Sequence, residues 1–265
     1  MKIAIIGAGN MGGAIARGLA LTVEGVDVCV SNPSAGKLDA LKSEYPSINT
    51  TTCNSEAAAG ADIVFLAVKP WKVEEVIEEL KPVLDYGKQV VASVAGGVSS
   101  ELLDGWLKKD GEALPVLYIV IPNTAIATRE SVTFICGKRA TVATDEVMFK
   151  LFSPLGKAVP VPEELIPAGT SLASCGIAYA LQYMRAAIAG GVELGFNEKD
   201  AQEIVMQTVK GALSVLETNA TTPTVEINKV TTPGGLTLKG LSAMEEAGFA
   251  ASVAAGLKAS TKKNL

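Results

Sequence analysis

The hydrophobic positions in the first half of the chain form short, nearly continuous runs separated by amphipathic stretches. Runs such as IAII, IVFLAV and VLYIVI are typical of parallel strands in a sheet that is covered on both faces. The pattern predicts strands over residues 2–6, 26–30, 49–52, 63–67, 89–93, 116–120 and 131–136. It predicts helices between them, for example over residues 11–23, 35–45 and 73–85. This alternation indicates an α/β fold with a doubly wound, mostly parallel sheet.

The pattern changes near residue 160, in a stretch with prolines at positions 154, 160 and 162. No convincing strand follows the run KAVPVP, and residues 163–265 have helical periodicity. Between residues 201 and 216, apolar positions recur every three or four residues, as on one face of a helix. We therefore predict a strand-containing domain over residues 1–160 and an all-α domain over residues 161–265.

The most apolar later stretch, residues 165–196, also carries polar side chains, namely Ser171, Ser174, Gln182, Arg185 and Glu193. These favour a buried interface helix over a membrane span. A helical segment rich in alanine and glycine is well suited to packing against a copy of itself. We expect self-association through the helical domain.

Charged side chains make up 19% of the 265 residues, and the net charge is −5. Without a basic cluster, no nucleic-acid partner is expected. The chain has no histidine, and its four cysteines lack the spacing of a zinc site, so no metal is expected. Free cysteines suit a reducing cytosol, and the apolar run at the N-terminus is too short for a signal peptide. These features predict a cytoplasmic protein with no membrane partner.

A glycine-rich loop follows the first predicted strand. Gly7, Gly9 and Gly12 fit G-x-G-x-x-G between that strand and a helix, which is the Rossmann arrangement for binding a dinucleotide. The first glycine makes the tight turn, the second lets the backbone approach the phosphates, and the third lets the helix pack on the strand. The free N–H groups at the helix start then face the pyrophosphate. The predicted contacts of this loop are Gly7, Ala8, Gly9, Asn10, Met11 and Gly12.

The end of the second predicted strand bears on which dinucleotide is bound. An NAD site usually has Asp or Glu there, whereas this chain has Ser31, Asn32, Pro33 and Ser34. No carboxylate repels a 2′-phosphate, and Ser31, Asn32 and Ser34, with Lys37, are candidates to hold it. This favours NADP(H), with NAD(H) as the alternative. The other interpretation is that these residues cap the next helix, with Ser34 as the cap.

The segment VTTPGGLTLKGLSAMEEAGF, residues 230–249, resembles the signature of pyrroline-5-carboxylate reductases, V-[ST]-S-P-G-G-x-T-x-x-x-L-x-x-[LM]-E-x-x-G-F. Other stretches resemble the same family in the expected order: IGAGNMG, FLAVKPW at 65–71, SVAGGV at 93–98 and PNTA at 122–125. The resemblance covers essentially the whole chain. Two stretches depart from it. The family's M-P-N-T-P is IPNTA here, and its S-G-S-G-P-A-Y is ASCGIAY at residues 173–179.

The resemblance implies reduction of 1-pyrroline-5-carboxylate to L-proline by hydride transfer from NADPH to the C=N bond, the last step of proline biosynthesis. The substrate is then a cyclic imino acid. Thr237 matches the family threonine whose hydroxyl contacts the ring nitrogen. The substrate contacts expected with it are Cys175, Gly176, Gly234, Gly235 and Leu236. An imine is already electrophilic, so a chain without histidine is compatible with this chemistry.

The segment before Thr237 is expected to begin a helix whose bare amides bind the substrate carboxylate. The other interpretation is an ordinary cap with Pro233 in the first turn. Strand ends supply further candidates, since ligands bind at the carboxyl ends of parallel strands. Ala67, Val68, Lys69 and Pro70 lie at the end of the fourth predicted strand, with Lys69 near the nicotinamide ribose or the substrate carboxylate.

Asn123, which follows the sixth predicted strand, is expected to contact the ribose or the nicotinamide. The alternatives are a surface lysine at position 69 and a turn-forming residue at position 123.

Three other functions stay open. A β-hydroxyacid dehydrogenase shares the two-domain plan but needs a lysine on the long interdomain helix, and residues 171–196 contain none. Another imine reductase on the same scaffold is compatible with the altered stretch at 173–177. A non-catalytic NADP(H)-binding protein would need to keep only the glycine loop.

Overall fold

The computed structural model describes residues 1–22 and 24–261. The chain divides after residue 174 into two compact units. The first contains the sheet, and the second is helical. The predicted end of the first helix at residue 23 and the last four residues of the predicted helical domain lie outside the described residues.

One sheet organises the first unit. Its strands are β1 (Lys2–Ile6), β2 (Asp27–Ser31), β3 (Asn49–Thr51), β4 (Ile63–Leu66), β5 (Val90–Ser93), β6 (Val116–Ile121), β7 (Ser131–Lys138) and β8 (Gly156–Pro160). Along the sheet the order is β3-β2-β1-β4-β5-β6-β7-β8. Among the described strands, β6 and β7 form the one antiparallel pair, and all the other neighbouring strands pair in parallel. The order reverses between β1 and β4, and in such sheets a crevice opens at that point beyond the carboxyl ends.

Helices connect these strands. They are α1 (Asn10–Thr22), α2 (Ala35–Glu44), α3 (Asn54–Ala58), α4 (Val73–Leu80), α5 (Ser100–Leu107), α6 (Val142–Phe152) and α7 (Ile166–Gly169). Short 3₁₀ turns occupy Pro70–Lys72, Thr124–Thr128, Ser153–Leu155 and Glu163–Leu165, and a π-helical turn occupies Thr170–Cys175. The predicted doubly wound, mostly parallel sheet is confirmed.

The core lies on both faces of the sheet because alternate residues of a strand point to opposite sides. Ile3 and Ile5 of β1 lie in a buried cluster with Phe65, whereas Ala4 and Ile6 lie in a second cluster. Phe65 packs edge-on against Phe152 of α6, with ring centroids 5.8 Å apart. Helices therefore cover both faces, which explains why β4 reads as a continuous apolar run with all four residues buried.

One strand and one helix of the sheet region differ from the sequence prediction. The sequence does not predict β8, whose five residues GKAVP are partly exposed and include a proline. This strand forms an edge of the sheet, where a residue without an N–H group is tolerated. Helix α4 was predicted to reach residue 85 but ends at Leu80, because Pro82 lacks the N–H group that a further turn would need.

The second unit contains α8 (Gly176–Glu193), α9 (Glu198–Asn219), α10 (Pro223–Val230), α11 (Leu236–Glu246) and α12 (Phe249–Thr261). The prediction that this part of the chain is all-α is confirmed for the described residues of the second unit. Within α8–α12, Ala201 is the one described residue that is buried. The apolar stripe predicted on α9 is largely uncovered, with Ile204 and Leu213 each about half exposed. This unit has almost no core of its own.

The stretch at residues 165–196, predicted as one interface helix, is divided. The 3₁₀ turn, α7 and the π-helical turn precede α8, which begins at Gly176. None of the helices in the described part of the chain is long and apolar enough to cross a membrane.

An ion-pair network joins α5 to the end of β7. Asp104 accepts hydrogen bonds from both terminal nitrogens of Arg139 at 2.6 and 3.0 Å, and Lys138 Nζ lies 2.8 Å from its Oδ2. Burial alone would raise the pKa of Asp104, but the hydrogen bonds from Arg139 and Lys138 outweigh it and hold that pKa below its ordinary 3.8. A carboxylate with a lowered pKa stabilises the fold above its unfolded pKa, and this contribution is lost as the pH falls through the folded pKa.

We expect Asp104→Asn to lower the free energy of unfolding by about 1 kcal/mol near neutral pH, since a largely solvent-screened pair is worth no more. The deficit should be constant from about pH 5 to 8 and should shrink below about pH 4, where the wild-type carboxyl also protonates. Thermal unfolding of both proteins across this range checks the expectation. A deficit that stays the same at the lowest pH would contradict it.

Candidate functional site

The loop between β1 and α1 leaves no room for side chains at two of its three glycines. Gly7 has φ +111°, and a Cβ there would lie 2.6 Å from the carbonyl oxygen of Ala67. A Cβ on Gly12 would collide with the carbonyl oxygen of Gly7. A Cβ on Gly9 would meet no atom within 4 Å. Gly7 and Gly12 are therefore required by packing within the loop, whereas Gly9 faces open space where a ligand can approach the backbone.

Hydrogen bonds hold this loop in one shape. Gly7 N donates to Ser31 O at 2.8 Å, and Ala8 N donates to Asn32 Oδ1 at 3.1 Å. Helix α1 begins directly afterwards, with no acidic residue in its first turn. The N–H groups of Asn10, Met11 and Gly12 have no acceptor within the helix, and the helix dipole adds positive potential there. The loop and helix start are thus suited to an anion such as a pyrophosphate.

Of the residues predicted to hold the 2′-phosphate, those at the end of β2 are buried and those at the start of α2 are exposed. Ser31 is fully buried, and its hydroxyl donates to Asn54 Oδ1 at 2.7 Å. Asn32 is 8% exposed and links the glycine loop to the next one, since its Nδ2 donates to Ser34 O at 3.3 Å. Both side chains are engaged with the protein.

Ser34 and Lys37 lie at the exposed start of α2. Ser34 occupies the N-cap position, but its side chain makes no capping hydrogen bond. Ser34 therefore stands where a helix cap is expected, but its hydroxyl does not cap the helix. That hydroxyl can form a hydrogen bond with another group. No carboxylate lies between Ser31 and Lys37.

The end of β4 lies beside the glycine loop. Ala67 N donates to Ile6 O at 2.9 Å, and Ala67 and Val68 are half-buried. Lys69 is exposed at the N-cap position of the 3₁₀ turn that begins with Pro70. A cation therefore stands at the carboxyl end of the strand that neighbours β1, at the reversal of strand order.

Asn123 has the geometry of a turn-forming residue. It is 5% exposed, and its Oδ1 accepts from Ala125 N at 3.1 Å, which caps the 3₁₀ turn after β6. Its Nδ2 lies 3.5 Å from Ala173 O, and its main-chain N donates to Ser131 Oγ at 3.2 Å. The alternative interpretation from the sequence therefore describes its side chain. Contact with a dinucleotide stays a prediction for this residue.

The segment of the family signature forms a turn and a helix start in the second unit. Gly235 N donates to Thr232 O at 2.9 Å, and Gly234 has φ +73°, a turn with proline second and glycine third. Helix α11 then begins at Leu236, as expected, with Gly235 as a cap that has no side chain. Leu236 and Thr237 are exposed, and the first turn has no acidic residue. Pro233 thus precedes the helix and is not in its first turn.

Two predicted substrate contacts lie at the junction before α8. Cys175 ends the π-helical turn, and Gly176 begins α8; both are half-buried. In the loop after β5, which carries the stretch SVAGGV, Gly96 meets no neighbour within 4 Å of its Cβ position and Gly97 has φ +84°.

The ionisable groups add little reactive chemistry. Burial raises the pKa of the Cys29 and Cys136 thiols, so both are neutral at pH 7. No group of side chains among residues 1–22 and 24–261 is arranged to hold a metal ion. The site is therefore made chiefly of main-chain amides, hydroxyls and lysines.

We expect Gly9→Ala to weaken dinucleotide binding roughly tenfold or more, because the methyl group occupies the space through which the phosphates reach the backbone. Its melting temperature should equal that of the wild type, since the added Cβ meets no protein atom. Fluorescence titration with NADPH checks the binding.

Gly105→Ala is the matched control: it is an exposed glycine of α5 with equally open space at its Cβ position, and it should bind like the wild type. Wild-type affinity in Gly9→Ala would show that no ligand approaches Gly9.

Comparisons with known proteins match the whole chain. A family model described as pyrroline-5-carboxylate reductase dimerisation matches residues 163–265, and one described as NADP oxidoreductase coenzyme F420-dependent matches residues 2–97. Pyrroline-5-carboxylate reductase 2 of Dictyostelium discoideum is 31% identical over 99% of this chain and 92% of its own length. Pyrroline-5-carboxylate reductase 1 of the same organism is 34% identical over 98% of this chain, which spans about half of that relative (49%).

The fold also matches a solved structure, that of Plasmodium falciparum pyrroline carboxylate reductase with NADP bound. The TM-score is 0.87 at 23% identity, and the match covers 98% of this chain and 95% of the other. This likeness extends the agreement from sequence to fold.

Proposed function

This chain belongs to the pyrroline-5-carboxylate reductase family, and we propose that it reduces 1-pyrroline-5-carboxylate to L-proline with NADPH. The bound dinucleotide supplies a hydride to the carbon of the C=N bond. One proton is needed at the ring nitrogen for the secondary amine of proline. The observation that carries the proposal is the combination of open space at Gly9 with the start of α1, in a chain whose relatives match it over nearly full length.

The start of α11 is proposed to bind the substrate carboxylate through its first amides. The support is the cap at Gly235, which has no side chain to cover these amides, and the absence of acidic residues from the first turn. Gly234, Leu236, Cys175 and Gly176 are proposed as further substrate contacts. Thr237, in the first turn, is proposed to hydrogen-bond the ring nitrogen as it changes from imine to amine. A hydroxyl can accept and donate, so it suits both states.

The residues at the strand ends are proposed to contact the dinucleotide, namely Ala67, Val68, Lys69 and Pro70 after β4. Lys69 is also proposed as a catalytic group that places its charge near the nicotinamide ribose or the substrate carboxylate. Its exposure at the carboxyl end of β4 supports this. Asn123 is proposed to act through the shape of its loop, since both polar atoms of its side chain have partners in the protein.

NADP(H) is the proposed dinucleotide, with NAD(H) as the alternative. The support is the lack of a carboxylate from Ser31 to Lys37, together with the exposed Ser34 hydroxyl and the Lys37 ammonium. Since Ser31 is buried and already hydrogen-bonded, we assign the 2′-phosphate to Ser34 and Lys37 and give Ser31 and Asn32 a supporting role.

The helical domain, residues 161–265, is proposed to carry the substrate contacts and to associate with a second copy. The match of residues 163–265 to a dimerisation model supports this, as do the exposed apolar side chains of α8–α12, such as Leu181 and Val192. The proposed boundary at residue 160 leaves residues 161–174 as the segment that leads into α8. A cytoplasmic location stays a prediction.

The purified protein should oxidise NADPH only when 1-pyrroline-5-carboxylate is present, and Thr237→Ala should lower kcat by about a hundredfold or more, as loss of a transition-state hydrogen bond does. The affinity for NADPH should change less than twofold, because the substitution removes no proposed contact with the dinucleotide. Steady-state kinetics and a binding titration measure the two effects.

Thr237→Ser, which keeps the hydroxyl, is the matched variant and should retain most of the activity. An equal loss of turnover and NADPH affinity would show that Thr237 has another role. No activity with either NADPH or NADH would contradict the proposed reaction, and a small panel of cyclic imines would then identify another imine reductase.

Lys37→Ala should raise KM for NADPH about ten- to a hundredfold, the value of a charged hydrogen bond to phosphate, and should leave KM for NADH unchanged. Lys150→Ala, at an exposed lysine of α6, is the control and should change neither. A wild-type preference for NADH would contradict the assignment of the 2′-phosphate.

A further inference from the structure

The π-helical turn Thr170–Cys175 lies directly before α8. Such wide turns are rare, and those that occur are frequently at functional sites. The segment TSLASC contains neither glycine nor proline, so local backbone preference does not explain the turn. Contacts with the rest of the first unit must hold it.

The beginning of the turn is anchored in the core. Gly169, the last residue of α7, packs so closely on Phe134 that a Cβ there would lie 2.8 Å from the ring. Thr170 Oγ1 donates to Ile166 O at 2.8 Å, and Ser171 is buried. The chain therefore enters the turn in a fixed position.

The end of the turn is tied to the loop after β6 by two hydrogen bonds, which we call the clasp. Ser174 Oγ donates to Pro122 O at 3.0 Å, and Asn123 Nδ2 lies 3.5 Å from Ala173 O, at the long limit of a hydrogen bond. Pro122 and Asn123 are both buried and follow β6 at its carboxyl end. The shorter contact, from Ser174, is the main link.

The clasp hydroxyl departs from the family pattern. In the family stretch S-G-S-G-P-A-Y, glycine stands where this chain has Ser174, and serines stand where it has Ala173 and Cys175. The hydroxyl that this chain keeps is thus displaced by one position. Because it is committed to Pro122 O, it is not directed at a ligand.

We propose that Ser174 is a positioning residue for the imino acid: by closing the clasp it fixes the end of the π-helical turn at Ser174, which Cys175 follows directly in the chain. This inference rests on the proposed function, which assigns Cys175 to the substrate. Ser174 itself touches no reacting atom. Its loss should therefore weaken imino-acid binding and leave the dinucleotide loop between β1 and α1 unaffected.

The test compares Ser174→Ala, which removes the hydroxyl, with Ser174→Thr, which keeps it. In steady-state kinetics, Ser174→Ala should raise KM for 1-pyrroline-5-carboxylate about three- to tenfold, the effect of losing one neutral hydrogen bond. KM for NADPH should stay at the wild-type value, the melting temperature should fall by no more than about 4 °C, and Ser174→Thr should behave like the wild type. By hydrogen-exchange mass spectrometry, amides of residues 170–176 should exchange faster in Ser174→Ala alone.

Unchanged exchange and unchanged kinetics in Ser174→Ala would overturn the inference. So would a parallel loss of melting temperature and of both KM values, because that pattern marks general destabilisation. A wild-type protein inactive with the imino acid would instead overturn the proposed function, and the substrate role of Ser174 with it.

Discussion

The close approach of three backbone segments at the end of β1 is the constraint on which the site depends. The carbonyl oxygens of Gly7 and Ala67 occupy the places where side chains on Gly12 and Gly7 would project. Only with both glycines can α1 begin immediately beyond β1, beside the end of β4. The same packing places the first amides of α1 at the reversal of strand order, where the open space at Gly9 lets a ligand reach this loop.

The features that the sequence predicts well are those encoded by neighbouring residues. The spacing of Gly7, Gly9 and Gly12 after an apolar run is sufficient to predict the strand, loop and helix, because Gly7 and Gly12 are required by contacts within the same unit and Gly9 by the open space beside it. Continuous apolar runs predict strands such as β4 and β6, since both sheet faces are covered. The start of α11 follows from a turn whose proline and glycines are adjacent in sequence.

The features that the sequence does not predict depend on contacts between distant residues. Edge strand β8 exists because β7 lies beside it, and its own five residues carry no clear strand pattern. The Ser31 hydroxyl donates a hydrogen bond to Asn54 Oδ1, and the Ser174 hydroxyl donates one to Pro122 O, 52 positions away. No local pattern distinguishes a hydroxyl that faces a ligand from one that faces the protein. The proposal that Ser34 and Lys37 hold the 2′-phosphate therefore depends on contacts that no local sequence pattern shows.

The chain has no histidine, and other groups supply positive potential in its place. In the first unit, the helix starts at α1 and α2 and the exposed side chains of Lys37 and Lys69 supply positive potential. Helix dipoles do not titrate, and the partly buried thiols of Cys29 and Cys136 stay neutral at pH 7 because desolvation raises their pKa. The sequence contains no histidine that could shuttle a proton. In the proposed reduction the imine nitrogen takes up one proton from the solvent, and hydroxyls with main-chain amides would orient the two ligands.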